Sequence, residues 1–325
     1  MAAGPDTQSL DHMAMRPYWD KVATLLEGTD AMRKAGTKYL PKFPYEGDEN
    51  YDYRRDNAKY TNIFADLVEG LASKPFSREV KVNGAGTAIQ EIVEDIDGSG
   101  NHLHVFAGDT FYNGVAYALD WIVVDYPAVP DGATAADERR MGARPYWVRV
   151  PATRVLWVET AVINGAEEFT YVSIYETSTR RVCFEENTFE RIRIMYREEL
   201  DGMWGGPQYT LYERNENDNW GIIEEGSLSI DVIPLVPFLT GRRQGSSWIV
   251  QPPMKGVADL QVEHYQAETN LKNAAEQTAF PMLVGQGVAP PEEGDKMPVG
   301  PRAVLITGAS NTDVDAGKFE YVEPQ

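Results

Sequence analysis

The strongest constraint in this 325-residue chain is a change of period. From residue 144 to about 239 the period of the apolar residues changes to two, the pattern of strands with one buried and one wet face. "RVLWVETAVINGAEEFTYVSIYE" is a hairpin with Asn164-Gly165 at its turn, the dipeptide that best accepts positive φ at both central positions. "ERIRIMYREE", "QYTLYERN" and "WGIIEEGS" continue as strands, so an antiparallel meander is predicted. The alternation of strand and helix that builds parallel sheets does not occur there, which argues against a nucleotide-binding fold.

Either side of the meander the period is helical. Ser9 is placed to cap a helix running to about Glu27. "ENYDYRRDNAKYTNIFADLVEGLASKPF" spaces Tyr53, Asn57, Tyr60, Phe64, Leu67 and Leu71 by four and three, predicting one helix stopped by Pro75. Between these, "GTDAMRKAGTKYLPKFPYEGDEN" has room for at most one helical turn, with Pro41 and Pro44 enforcing an extended crossing. A short strand "REVKV", helices "TAIQEIVEDI" and "LHVFAGDTFYNGVAYAL", a strand "DWIVVDYP" and a loop "AVPDGATAADERRMGA" follow.

Beyond the meander, residues 254–280 predict a helix of roughly 40 Å, bracketed by Pro252, Pro253 and Pro281. Its heptad seam would be Val257, Leu260, His264, Ala267, Leu271, Ala274 and Thr278, narrow and rich in small residues. Gln261, Gln266, Asn270, Asn273 and Gln277 offer polar contacts elsewhere. Such a helix is either a strut between packed layers or subunits, or an exposed helix lying on its own domain. "RAVLITGA" and "KFEYVEP" read as strands. The expected class is α+β: residues 1–143 mainly helical, 144–250 an antiparallel β-rich region, and 251–325 the long helix with following strands.

Charge and composition narrow the function. Fifty acidic against thirty basic residues give a net charge of -20, which repels phosphate and offers no clustered Lys/Arg face for tight nucleic-acid binding. This acidity fits plain solubility or a surface that touches DNA without adhering to it. The longest apolar run, "WIVVDYPAV", is interrupted by Asp125 and Pro127, so no membrane contact is expected, and the first residues lack a secretory pattern. The single cysteine, Cys183, excludes an internal disulfide; in "RRVCFEE", read as strand, it is a buried or incidental thiol.

Several motifs resemble chemical sites and fall short. "LITGAS", residues 305–310, lacks the later glycines of a dinucleotide turn. "DIDGSGN" sets Asp95, Asp97 and Ser99 as in a calcium loop, but Phe106 stands where the closing carboxylate belongs, so a polar turn is expected. His102 and His104 diverge at a helix start, and His264, next to Glu263 and one turn from Glu268, has no third ligand. No catalytic, cofactor or metal residue is assigned, and the chain does not read as an enzyme. A β-rich hydrolase would need Glu190, Glu198 or Glu213 to converge with raised pKa, whereas they alternate with apolar residues as on a wet sheet face.

"LLEGTDAMRKAG", "YLPKFP", "LASKPF", "VDYP", "RPYWVRVPA", "IPLVPF" and "LQVEHYQAETNL" followed by "FPMLVGQG" occur in this order. Together they resemble the portal proteins of tailed double-stranded DNA bacteriophages, specifically a portal-like family formerly known as a domain of unknown function, over nearly the whole chain. Each phrase is weak alone; their order and spacing are the specific part. The resemblance implies the wing part of a homo-oligomeric ring of about twelve subunits at one capsid vertex, a conduit for DNA packaging and ejection that passes double-stranded DNA without specific binding. It implies the terminase large subunit as a first partner, adaptor or tail proteins as later ones, and major capsid and scaffold proteins around it, in a virion assembled in the host cytoplasm. Stem, clip and crown segments are expected C-terminal to residue 325. Another ring-forming head-to-tail adaptor is the alternative.

Overall fold

The protein is mixed α+β, with helices at the N-terminal side, antiparallel sheets in the centre and a helix towards the C-terminus. The computed structural model describes residues 4–127, 129–130, 132, 134–215, 217–278, 282–286, 304–307 and 318–322. Helices α1 (Leu10–Glu27), α2 (Thr29–Ala35), α3 (Asp48–Asp56), α4 (Ile63–Ala72), α5 (Thr87–Glu94) and α6 (Leu103–Tyr117) precede strand β1 (Leu119–Asp125). Helix α7 (Ala135–Met141) leads into β2 (Tyr146–Pro151), β3 (Val155–Ile163), β4 (Ala166–Val182) and β5 (Glu185–Tyr196). The short pair β6 (Glu199–Leu200) and β7 (Met203–Trp204) is followed by β8 (Gln208–Arg214), β9 (Trp220–Ser227), β10 (Leu235–Leu239), β11 (Arg242–Arg243) and β12 (Val250–Gln251). Helix α8 (Lys255–Thr278) precedes β13 (Met282–Gln286), β14 (Val304–Thr307) and β15 (Lys318–Val322). Among the described residues no helix is long and apolar enough to cross a membrane.

The chain forms two units: Met1–Ala23 with Phe64–Ala258, and Thr24–Ile63 with Asp259–Gln325. In the first, β3-β4-β5-β8-β9 is an antiparallel meander in sequence order, as the period-two pattern predicts. Asn164 and Gly165 turn β3 into β4 with φ of 51° and 82°, the two positive values that the Asn-Gly dipeptide accepts. The meander is narrower than predicted, because β2 and β10 leave it to flank β1 in the order β10-β1-β2. Strand β1 is buried along most of its length, so it needs a partner on each edge; Trp121 faces Val150 on one side and Pro237 on the other.

The core of this unit runs through Leu119, Trp121, Val172, Ile174 and Ile192. Trp121 lies 4.9 Å from Trp248 and 6.1 Å from Phe169, ring centre to ring centre, and the Arg243 guanidinium covers Trp248 at 3.9 Å while gripping Glu167. Helix α1 is anchored at its start, where the Ser9 hydroxyl accepts the His12 N–H and the Asp11 carboxylate accepts the Trp248 N–H. Further along, Tyr18 and Trp19 donate to the Ala116 and Tyr117 carbonyls at the end of α6.

Two further expectations in this unit are corrected. "REVKV" forms no strand; among the described residues none pairs with it in a ladder, and the Val80 N–H donates to His104 Nδ1 instead. The expected loop at 128–143 contains α7, whose N-terminus is a capping box: the Thr134 hydroxyl accepts the Asp137 N–H and Asp137 accepts the Thr134 N–H, with Gly142 left-handed at the other end.

The second unit departs more from the sequence reading. The helix predicted from Glu49 to its stop at Pro75 is two helices, and α2 exceeds one turn before Gly36 ends it at φ 56°. After α3, carbonyls of the connecting residues are taken by side chains distant in sequence, Arg33 taking Ala58 and Gln261 taking Thr61. Tyr53, predicted inward, is exposed, and Tyr51 and Arg54 are the buried positions of α3; in α4, which from Phe64 onward belongs to the first unit, Leu67 and Leu71 are exposed and Phe64, Val68 and Ala72 are buried.

Helix α8 is turned by about one residue from its predicted seam. Within this unit Gln261, Tyr265 and Thr269 face inward, while Leu260 and Leu271 are 64% and 70% exposed and His264 lies outward with them. The polar side chains win because they complete backbone carbonyls: Gln261 donates to Thr61 and Gln266 to Tyr39, both part-buried. Phe280 and Pro281, at the predicted helix end, lie outside the described residues. Strands β14 and β15 occur where "RAVLITGA" and "KFEYVEP" predict them, β13 pairing parallel with β14 and antiparallel with β15.

Tyr265 packs edge-on against Tyr60 at 5.8 Å, and its hydroxyl is buried without a hydrogen-bond partner. Tyr265→Phe keeps the ring and removes the desolvated hydroxyl, so it is expected to raise stability by about 1 kcal/mol in a urea titration. A loss of that size would mean that the hydroxyl is satisfied.

Candidate functional site

A polar cavity of about 600 Å³ opens in the first unit between α1, the start of β3 and the meander. His12, Arg16, Asp20, Glu190, Arg214 and Trp220 are among the groups that line it. His12 is buried, with Nδ1 2.9 Å from the Val155 carbonyl; burial lowers its pKa, so the neutral ring donates there. Glu190 accepts from Arg214 at 2.7 Å and from the Tyr175 hydroxyl at 2.9 Å. Arg214, then Tyr175, hold its carboxyl below the usual carboxylate range. The imidazole is therefore kept neutral and the carboxylate charged, each committed to the scaffold rather than poised near neutral pH for proton transfer.

The three glutamates singled out in the meander do not converge. Glu190 and Arg214 share one face, while Glu213 is on the other, held by Arg191 at 2.6 Å with Arg180 at 3.9 Å. Glu198 is exposed beyond the end of β5. On the Glu213 face Glu176 also pairs with Arg193, so the acidic residues belong to cross-strand ion-pair ladders.

The remaining motifs resolve locally. Asp97 accepts the Ser99 and Asn101 N–H groups, and Asp95 accepts from Gly100 and Arg144, so "DIDGSGN" is a polar turn with its oxygens engaged. His102 caps α6, its Nδ1 accepting the His104 N–H. Glu268 is taken by Lys59 at 2.6 Å and Thr61, and His264 Nδ1 stands 3.8 Å away. Among the described residues no three His, Cys, Asp or Glu side chains are grouped to hold a metal. Cys183 is not in a regular strand and not buried: it is the exposed first residue of the turn between β4 and β5, at φ 57°. Residues 308–310 of "LITGAS" lie outside the described residues.

Among the described residues, the strongly shifted carboxyl that sequence reasoning missed is Asp120 on β1, 1% exposed. Burial pushes its pKa up to about 6, against the pull of Arg149 at 3.2 Å. A raised pKa means that the folded state binds the proton more tightly than the unfolded one. The stabilisation present near pH 4 is therefore lost as pH rises through about 6. Asp120→Asn is expected to abolish that slope and to gain on the order of 2 kcal/mol at pH 7, measured by urea titrations across pH. An unchanged slope would show that Asp120 stays ionised throughout. Arg149 lines two smaller cavities, of about 290 and 370 Å³.

No protein-family model matches the chain, and no curated protein matches it.

Proposed function

We propose that this chain is a portal protein of a tailed double-stranded DNA bacteriophage: one subunit of a ring of about twelve at a single capsid vertex, through which DNA is packaged and ejected. The observation that carries the reading is the ordered series of phrases from "LLEGTDAMRKAG" to "FPMLVGQG". Their packing supports it. "VDYP", "RPYWVRVPA" and "IPLVPF", far apart in sequence, contribute β1, β2 and β10, the three strands of one sheet. "YLPKFP" and "LQVEHYQAETNL" meet in the second unit, where Gln266 donates to Tyr39 and Arg54 bridges the Pro41 carbonyl and Asn270.

The physical character of the chain agrees with a passive conduit. A net charge of -20 disfavours the phosphate contacts that would brake moving DNA. Carboxylates locked in ion pairs suit a part whose partner, a terminase large subunit, hydrolyses ATP, and which is not itself an enzyme. The outward Leu260 and Leu271 of α8 suit a surface covered by a neighbouring subunit, capsid, scaffold or adaptor protein. An antibody against the chain is expected to label one vertex per virion, seen by immunoelectron microscopy; labelling over the whole shell, or of the tail alone, would contradict the proposal.

A further inference from the structure

The meander carries a ribbon that its own sheet does not use. β4 loses β3 after Ile174, and β5 gains β8 only at Arg191, yet β4 and β5 stay paired to Val182 and Glu185. Residues 177–182 and 185–190 therefore extend as two strands alone, roughly 20 Å beyond the sheet. Phe184 at the tip is 96% exposed. An isolated two-stranded ribbon is marginal in water, and both of its edges present unpaired backbone N–H and C=O groups.

The charges on those edges are opposite. The β4 edge carries Arg180 and Arg181, the β5 edge Glu185 and Glu186, all exposed. Neighbours in a strand point to opposite faces, so on both faces the β4 edge is basic and the β5 edge acidic. Pairing β4 with β4 of another copy, or β5 with β5, would set like charges across from each other, which is destabilising. Pairing β4 with β5 sets Arg against Glu and continues the antiparallel order. No proline, glycine or bulge protects the ribbon.

We propose that the β4 edge of this ribbon pairs with the β5 edge of the ribbon in a second copy, head to tail. Such a contact is heterologous and propagates from copy to copy until a ring closes, whereas a twofold dimer is disfavoured by charge. The inference rests on the ring reading above and identifies one of its subunit contacts.

Two charge variants test it, with assembly read by light scattering on the protein expressed from its complete reading frame. Arg180→Glu with Arg181→Glu makes both edges acidic; Glu185→Arg with Glu186→Arg makes both basic. Each alone is expected to lower the assembled fraction at least tenfold, and an equimolar mixture to restore it, because acidic and basic ribbons then alternate. A ribbon merely damaged by substitution would not be rescued by mixing, so failure of the mixture overturns the proposal. Undiminished rings from either variant overturn it while leaving the ring reading intact. A wild-type protein that stays monomeric overturns both.

Discussion

Replacing Glu46 by alanine lowers the stability of the second unit by about 3–5 kcal/mol. Its carboxylate takes two hydrogen bonds from Arg54, at 2.8 and 2.7 Å, and one from the Phe43 N–H. Arg54 is 2% exposed, and its other partners among the described residues are neutral: the Pro41 carbonyl, Asn270, and the Phe43 and Tyr51 rings at 4.1 and 5.5 Å. Without Glu46 a guanidinium stays buried with no counter-charge, the costliest way to break such a pair. Removing both charges, as Glu46→Leu with Arg54→Met, is expected to cost much less. The first unit holds all seven tryptophans, so amide exchange in α3 reports the change where tryptophan fluorescence does not.

The same pair sets a pH response opposite to that of Asp120. Arg54 holds the Glu46 carboxyl below its ordinary 4.5, so its contribution is present above that pH and is lost as pH falls through the folded-state value. Acid is thus expected to loosen α3 before it loosens β1. Equal exchange protection of the two at low pH would contradict this assignment.

Gly241→Ala is expected to destabilise the first unit by about 3 kcal/mol. A Cβ at this position would overlap the Gln251 carbonyl oxygen and lie 2.5 Å from Val250 Cγ1. The first of these is backbone and part of the β11-β12 pair, so it cannot rotate away as a side-chain end would. That pair positions Arg243 over Trp248, which makes tryptophan fluorescence during urea unfolding the direct readout. A loss below 1 kcal/mol would mean that β11 and β12 shift freely.

Features dictated by one or two residues were legible in the sequence. Ser9 starts α1, Asn164-Gly165 turns β3 into β4, and the short segments "QYTLYERN" and "WGIIEEGS" mark β8 and β9 at their observed positions. The capping box of α7 was legible too, in Thr134 and Asp137 followed by Gly142, but the composition of its surroundings reads as loop. Features made by partners distant in sequence were not legible. The connection after α3 gives carbonyls to Arg33 and Gln261, and the face of α8 depends on carbonyls from Tyr39 and Thr61. Apolar spacing could not find either, because both are contacts of polar groups. Asp120 reads as an ordinary acid opening a strand; its burial, on a strand flanked by β2 and β10, arises only in the folded sheet. The ribbon's tip at Cys183 and Phe184 has no turn dipeptide, so β4 and β5 could not be joined from sequence alone.

The central claim is that copies of this chain close into a ring. Negative-stain microscopy combined with light scattering, on the protein expressed from its complete reading frame, tests it most directly. The portal reading predicts rings of about twelve subunits with an axial hole; a compact monomer at all concentrations would contradict it.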